Sequence, residues 1–162
     1  MYKRACLIAL TLLVTALGGA RSTLASHYAL GDVPRLVKPA EVEKLKKANV
    51  ATTEELLGKA ATAKDRKALA KASGLPAADL LVLAKRCDLL RIKGVGSEMV
   101  LLLDAAGVKS TADLVKQAAP ALLTSVTNAN KTAKITEKLP TETQLADWID
   151  QAKKLPPVLE GK

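Results

Sequence analysis

The chain has 162 residues, and 25 Lys and Arg against 16 Asp and Glu give it a formal net charge of +9. That length fits one domain of ordinary size. With two cysteines and one histidine, the composition excludes a disulfide framework in the mature chain and a zinc site built from its usual ligands. The charge favours acidic partners such as nucleic acid or anionic surfaces, and a well-solvated helical surface is the alternative.

Residues 1–26 have the pattern of a secretory signal peptide. The sequence MYKR is followed by the apolar run ACLIALTLLVTAL and by the small residues of GGARSTLAS. As a helix this run spans about 20 Å, which is short of the ~30 Å hydrocarbon core of a bilayer. We therefore expect cleavage and an exported protein, periplasmic or secreted, with an uncleaved inner-membrane anchor as the alternative. Cleavage after Ser26 leaves 22 basic and 16 acidic residues.

After a polar lead-in over residues 27–37, the chain has a helical pattern. Alternating strand patterns are absent apart from a weak one near Leu36. Apolar residues recur at helical spacing at Leu80, Leu83, Ala84 and Cys87, at Met99, Leu102, Leu103 and Ala106, and at Leu145, Trp148, Ile149 and Ala152.

Local signals predict where several helices begin and end. Sequences of the capping-box type over residues 52–55 and 110–113 predict helix starts. Pro76 and Pro140 suit first-turn positions, and Gly74 and Gly107 suit helix ends.

The mature chain divides into two related halves, residues 38–90 and 91–157, followed by a tail, residues 158–162. Residues 43–57 align with residues 101–115 at a shift of 58, and further along the shift becomes 65. A shared apolar register suggests duplication, with both halves closing one core. At the second shift Cys87 falls on Ala152, which predicts a small buried residue and not a reactive thiol.

The sequence Lys93-Gly94-Val95-Gly96, here called the glycine hairpin, lies between two apolar-periodic segments. Glycine permits a positive φ and close approach of a partner, and Val95 can turn inward onto the core. The helix predicted from about Ser97 to Ala106 would present free N–H groups and its positive dipole end there. A phosphate oxygen fits that position, and a tight turn that binds nothing is the alternative.

This segment resembles the helix-hairpin-helix motif. The match rests on Leu89, Ile92, Gly94, Val95, Gly96, Val100 and Leu103. The resemblance implies that the hairpin binds a DNA phosphate through backbone amides, without reading sequence. The residues implied for phosphate or DNA binding are Gly94, Val95, Gly96 and Ser97, with charge from Arg91, Lys93, Lys85 and Arg86.

A wider resemblance covers nearly the whole mature chain. The stretches DLLRIKGVGSEMVLLLDAAGV and LPTETQLADWIDQAKKLPPV are similar to a bacterial helix-hairpin-helix family known as domain of unknown function 4332. That family has RIKGVG before an AAGV turn, then a Trp-centred helix and a Lys-Lys-Leu-Pro closure. Arg91–Gly96, Ala105–Val108, Trp148 and Lys153–Pro156 carry these features here. The resemblance implies a fold and is nearly silent on activity.

Two features depart from hairpins that bind DNA. Glu98 stands where such hairpins often have Lys, and its carboxylate would repel a phosphate, although at a helix start it also complements the dipole. In the first half, Leu36-Val37-Lys38 stands in place of Gly94-Val95-Gly96. At most one hairpin is intact, so we expect any grip on DNA to be weak.

The sequence contains no recognisable catalytic site. The single histidine, His27, adjoins the predicted cleavage site, and no nucleophile, base and orienting group assemble around it. The hairpin is not a dinucleotide fingerprint, because Met99 replaces the third glycine and no strand precedes it. The mature chain has only Tyr28 and Trp148 as aromatic residues, which disfavours single-strand binding. We expect no enzyme activity, cofactor, metal site or small-molecule substrate.

Together these observations predict an all-α fold, with tandem helix-hairpin-helix-like units in one compact domain behind a signal peptide. The predicted function is a non-catalytic binding module, most concretely for the phosphate backbone of duplex DNA. The alternative is a protein-interaction or envelope scaffold module, in which the hairpin is structural and the partner is an acidic protein or an anionic envelope polymer. Membrane association is expected only if the signal segment is retained.

Overall fold

The computed structural model describes residues 27–160, so the predicted signal peptide lies outside the described residues. The described part confirms the all-α prediction. It has a short 3-10 helix, Leu30–Asp32, and eight α-helices: α1 Pro39–Lys47, α2 Thr53–Lys59, α3 Ala63–Ser73, α4 Ala77–Leu89, α5 Ser97–Ala105, α6 Thr111–Leu114, α7 Ala119–Ala133 and α8 Glu142–Lys154. Within these residues the only β-type pairing is an isolated bridge between Ala29 and Thr52, so the weak strand pattern near Leu36 does not become a strand.

Side-chain caps start several of the helices as predicted. The Thr52 hydroxyl accepts the Glu55 N–H at the start of α2, and the Ser110 hydroxyl accepts the Asp113 N–H at the start of α6. These bonds satisfy amides that the first helical turn leaves without partners. Gly74 ends α3 with φ +68°, and Gly107 follows α5 with φ +88°.

The two prolines lie slightly before their predicted positions. Pro76 is the N-cap residue of α4, one position ahead of the first turn. Pro140 precedes the N-cap residue of α8, Thr141, because the Thr141 hydroxyl accepts the Gln144 N–H and so sets the helix start. Both prolines thus end the preceding loop and do not enter the helix.

The helix bounds follow the offsets seen in the sequence. Helices α1 and α5 are nine residues long and begin 58 positions apart, and α4 and α8 are thirteen residues long and begin 65 positions apart. The packing partners repeat as well, because α1 contacts α3 as α5 contacts α7, and α2 contacts α4 as α6 contacts α8. These helix bounds agree with a duplication and with the helix-hairpin-helix assignment, which both stay predictions.

Buried side chains from both halves form one core, and α4 lies at its centre, in contact with α2, α3, α5 and α6. The lead-in contributes to this core, because Leu30, Val33 and Leu36 are buried. Burial of one such side chain stabilises a fold by about 1.5–3 kcal/mol. Cys87 is buried as predicted, and Trp148 is also buried.

Among the described residues, no helix combines the length and apolar character that crossing a bilayer requires.

Candidate functional site

Two buried side chains, one before the first glycine and one between the two glycines, anchor the glycine hairpin to the core. Ile92 and Val95 are buried, whereas Gly94 and Gly96 are exposed. The Val95 N–H donates to the Ile92 carbonyl at 3.1 Å, which closes the turn between α4 and α5. Val95 therefore faces the core as predicted, and the backbone on either side of it faces solvent.

Gly94 is a glycine because the fold requires one there. Its φ is +91°, a region that side-chain-bearing residues rarely adopt. A Cβ atom at this position would also lie 3.1 Å from Nε1 of Trp148. The backbone conformation and the neighbouring indole thus disfavour every other residue at this position, whatever the hairpin binds.

Helix α8 also holds the hairpin through Gln151. Oε1 of Gln151 accepts the Lys93 N–H at 2.9 Å, and Nε2 donates to the Lys93 carbonyl at 3.2 Å. This clamp was not predicted from the sequence, because it joins residues 58 positions apart. The sequence gives one indication of it, because Gln151 lies one turn after Trp148 in the Trp-centred helix by which the chain resembles the family.

Gly96 differs from Gly94, because nothing in the fold requires it. It is the N-cap residue of α5, with φ −91° and ψ −179°, which any residue adopts. A Cβ atom there would meet no atom within 4 Å. No side chain caps α5, so the first-turn amides after Gly96 lack a capping acceptor. The start of α5 is an open, positively polarised backbone end.

Glu98 at the start of α5 is turned towards another basic residue. Its Oε1 accepts from Nη1 of Arg35, and its Oε2 accepts from the Thr136 hydroxyl at 3.3 Å. The two side chains are about half exposed. They border a cleft of about 630 Å³ that Lys134 and Lys138 also line. Arg35 therefore offsets the carboxylate that the sequence analysis expects to repel a phosphate.

The structure places Arg91 inside the protein. Its Nη1 donates to Oδ1 of Asp88 at 2.7 Å, and its Nη2 donates to the Pro156 carbonyl at 3.1 Å. Only 8% of Arg91 is exposed. The other oxygen of Asp88 accepts the N–H and the hydroxyl of Thr111 at 2.9 and 2.6 Å. The guanidinium thus ties the chain after α8 to the end of α4.

Arg86 and Lys85 also lie away from the start of α5. Arg86 pairs with Asp104, with Nη2 3.1 Å from Oδ2, and reaches the Leu36 carbonyl at 3.4 Å. Lys85 borders a separate groove together with Lys116 and Lys153. Of the predicted site residues, the structure brings together Lys93, Gly94, Val95, Gly96 and Ser97.

Two further titratable groups, Cys87 and His27, lie elsewhere in the described part of the chain. Burial raises the pKa of the Cys87 thiol to about 12, so this thiol is protonated at neutral pH. His27 lies 3.8 Å from Glu54. Within residues 27–160, no three His, Cys, Asp or Glu side chains come together as metal ligands would.

Comparison with known proteins gave one result. The family model described as Domain of unknown function (DUF4332) matches residues 35–155. Neither the curated proteins nor the solved structures contain a match. The matched range begins at Arg35, spans the glycine hairpin and ends just after α8, so it covers about three quarters of the 162 residues. The chain belongs to the DUF4332 family of domains of unknown function.

Proposed function

We propose that this protein is a non-catalytic binding module that holds a backbone phosphate of duplex DNA at the start of α5. The observation that carries the proposal is Gly96. Its backbone conformation and its surroundings would accept a side chain, yet the residue is glycine and the helix start has no cap. A phosphate oxygen at this position would accept first-turn N–H groups and lie at the positive end of the dipole.

The charges around the hairpin support a backbone contact. Lys93 is exposed beside the glycines, and Arg35 offsets the nearby carboxylate of Glu98. Contacts from backbone amides and one lysine to a phosphate position a duplex without selecting a base sequence. Since Arg91 and Arg86 are engaged by Asp88 and Asp104, the proposed contact set is narrower than the sequence alone suggests.

Duplex is preferred over single-stranded nucleic acid because stacking platforms are scarce. Single-strand binders rely on exposed aromatic side chains. Trp148 is buried, and Tyr28 lies partly buried on the first half, where its backbone pairs with Thr53. The start of α5 therefore offers amides and charge without a surface on which bases could stack.

A second candidate is a scaffold module whose hairpin serves only to pack the fold. The contacts of Gly94 with Trp148 and of Lys93 with Gln151 favour it, because they give the hairpin a packing role without any ligand. In that case the partner would be an acidic protein or an anionic envelope polymer that meets the basic surface.

Binding of the purified chain to labelled duplex DNA, measured by fluorescence anisotropy across a salt series, tests the proposal. We expect binding that weakens steeply with salt, as phosphate contacts do. The Gly96→Asp variant should keep the fold and lose the binding, because aspartate is a good N-cap that closes the helix start with its own carboxylate. Gly58→Asp in α2 is the matched control, since a Cβ there also meets nothing within 4 Å.

The outcomes separate the two candidates. Loss of binding in Gly96→Asp with retention in Gly58→Asp supports phosphate binding at α5. Equal loss in the two variants indicates diffuse attraction to the basic surface. Absence of wild-type binding even at low salt overturns the proposal and leaves the scaffold function.

Export is part of the proposal and has its own test. It rests on the pattern of residues 1–26. Mass spectrometry of the protein recovered from a bacterial host should give a chain that begins near His27 in the envelope or medium. An intact N-terminus in the membrane fraction would support the anchored alternative.

A further inference from the structure

A groove of about 590 Å³ lies between α4, α6, α8 and the chain after α8, outside the glycine hairpin. That volume is in the range of small-molecule sites. One wall is the C-terminal segment, residues 155–160, and this segment is held at both ends. Arg91 donates to the Pro156 carbonyl at 3.1 Å. At the far end the Glu160 N–H donates to the Ala61 carbonyl at 2.8 Å, and Nη2 of Arg66 donates to the Glu160 carbonyl at 3.2 Å.

Part of the groove surface is apolar. Val115, Leu155, Val158 and Leu159 line it. Among the described residues, three large hydrophobic side chains are exposed, and two of them, Val115 and Val158, lie here with 37% and 36% exposed. Exposed valines on both sides of a concave surface indicate a place where an apolar ligand would gain burial.

Charge around the groove is positive and available. Lys85, Lys116 and Lys153 border it. In the described part of the chain, Lys85 and Lys116 make no side-chain hydrogen bond or ion pair, and Lys153 pairs with exposed Asp150. Of the two acidic residues that line the groove, Asp88 is paired with a cation, whereas Asp113 is bonded by neutral donors and keeps its negative charge, so that the three lysines exceed it. Asp88 binds Arg91 and Thr111, and Asp113 accepts from Ser110 and Lys109.

We propose that this groove binds an anionic amphiphile, a single apolar chain with a carboxylate or phosphate head group. The apolar chain would cover Val115 and Val158, and the head group would lie near Lys85 and Lys116. The inference does not rest on the proposed DNA function, because the groove and the start of α5 share no residue. Under this proposal Lys85, which the sequence predicts to bind phosphate at the hairpin, would instead bind the head group of the amphiphile.

Calorimetric titration of the purified protein with dodecanoate, below its micelle concentration, tests the proposal. We expect saturable binding with one site per chain. Neutralising two groove lysines in Lys85→Gln/Lys116→Gln should weaken it roughly tenfold. The matched control is Lys64→Gln/Lys67→Gln on α3, which removes the same charge from two exposed lysines outside the groove. Acetate tests the head group alone, and dodecyl maltoside tests the apolar chain with a neutral head.

Amide chemical shifts should map the bound dodecanoate to α6 and the chain after α8. The Gly96→Asp variant should bind dodecanoate as the wild type does, which separates this site from the DNA site. A long-chain phosphate in place of dodecanoate distinguishes the two head groups. The proposal is overturned by absence of saturable binding, by equal loss in both double variants, or by shift changes confined to other parts of the chain.

Discussion

Residues 36–38 precede α1 as residues 94–96 precede α5, and both segments bury their central valine, Val37 or Val95. The helix starts that follow are different. At α1, Oε2 of Glu41 accepts the Lys38 N–H at 2.7 Å, and Pro39 at the first position has no N–H to offer. At α5, no side-chain cap is present and the first position is Ser97.

The features that the two segments share are those that packing requires, and the features that differ bear on ligand binding. A buried valine and a helix start are common to both segments, so they satisfy the core. The first segment has Leu36, a buried side chain, at the position where the second has Gly94. Gly94 is exposed, has φ +91° and lies against the Trp148 indole. Neither helix start has a hydrogen bond from its N-cap side chain, but in the first segment the Glu41 carboxylate accepts the N–H of the N-cap residue, whereas within residues 27–160 no side chain does so at the start of α5.

The largest effect concerns Thr53 and Thr111, which occupy corresponding positions in the two halves but bind different partners. Thr53 exchanges hydrogen bonds with the Tyr28 backbone, whereas Thr111 donates to the Asp88 carboxylate, which also binds buried Arg91. Asp88→Ala should therefore lower the free energy of unfolding by about 3–5 kcal/mol, since it leaves a buried charge unpaired. Urea denaturation measures this. Asp104→Ala, at a partly exposed pair with Arg86, should cost about 1 kcal/mol or less.

The next effect distinguishes the two hairpin glycines. Gly94→Ala should destabilise by about 1–3 kcal/mol, because alanine at φ +91° is strained and its Cβ would contact Trp148. Gly96→Ala should cost less than about 1 kcal/mol, the range of a poorer N-cap. Paired urea denaturation curves check both values. Equal losses would show that Gly96 also has a packing role and would weaken the case for a ligand there.

A smaller effect concerns the ion pair between Arg35, just before residues 36–38, and Glu98, shortly after residues 94–96. Because both side chains are about half exposed, Glu98→Gln should change stability by less than about 1 kcal/mol. It should raise affinity for duplex DNA several-fold, since a negative charge leaves the neighbourhood of the phosphate. Anisotropy at constant salt checks this. An unchanged affinity would place the phosphate away from α5.

The smallest effect is a difference in acid sensitivity between two capping boxes. At α2, hydrogen bonds from the Ala51 and Thr52 backbones lower the pKa of Glu55 below its ordinary value of 4.5. The stability that Glu55 adds is therefore present above about pH 4.5 and is lost as the pH falls through its lowered pKa. At α8 the same place is held by Gln144, which does not titrate.

Thermal unfolding between about pH 3 and pH 7 measures this difference. Glu55→Gln should flatten the acid side of the profile slightly, and Gln144→Glu should steepen it. A profile that is identical for Glu55→Gln and the wild type would show that the α2 box contributes no acid dependence.

Much of the fold could be predicted because its signals are local. Capping at Thr52 and Ser110 and the helix ends at Gly74 and Gly107 depend on residues within one turn, and these signals placed the helices correctly. Cys87 was predicted as a buried residue because it aligns with Ala152 of the second half. The start of α8 shifted past Pro140 because two local signals competed there and the Thr141 hydroxyl prevailed.

The site was less predictable because its contacts are distant in the sequence. Arg91 reads as a hairpin cation, but the chain after α8 covers it and supplies the Pro156 carbonyl. Likewise, the reason for Gly94 is the indole of Trp148, 54 positions away. Helical periodicity places Trp148 on an apolar face without identifying the groups it meets, and it does not predict that Arg91 is buried.

The attachment of Glu160 to the first half has a consequence for the order of folding during synthesis. Arg66 and Ala61 each form a hydrogen bond with the Glu160 backbone, which is synthesised after α8. A nascent chain that has emerged only as far as α8 lacks this attachment as well as the carbonyl that Arg91 binds. This attachment thus forms only after Glu160 has been synthesised, and it closes a loop of about a hundred residues, whose entropic cost grows only slowly with length.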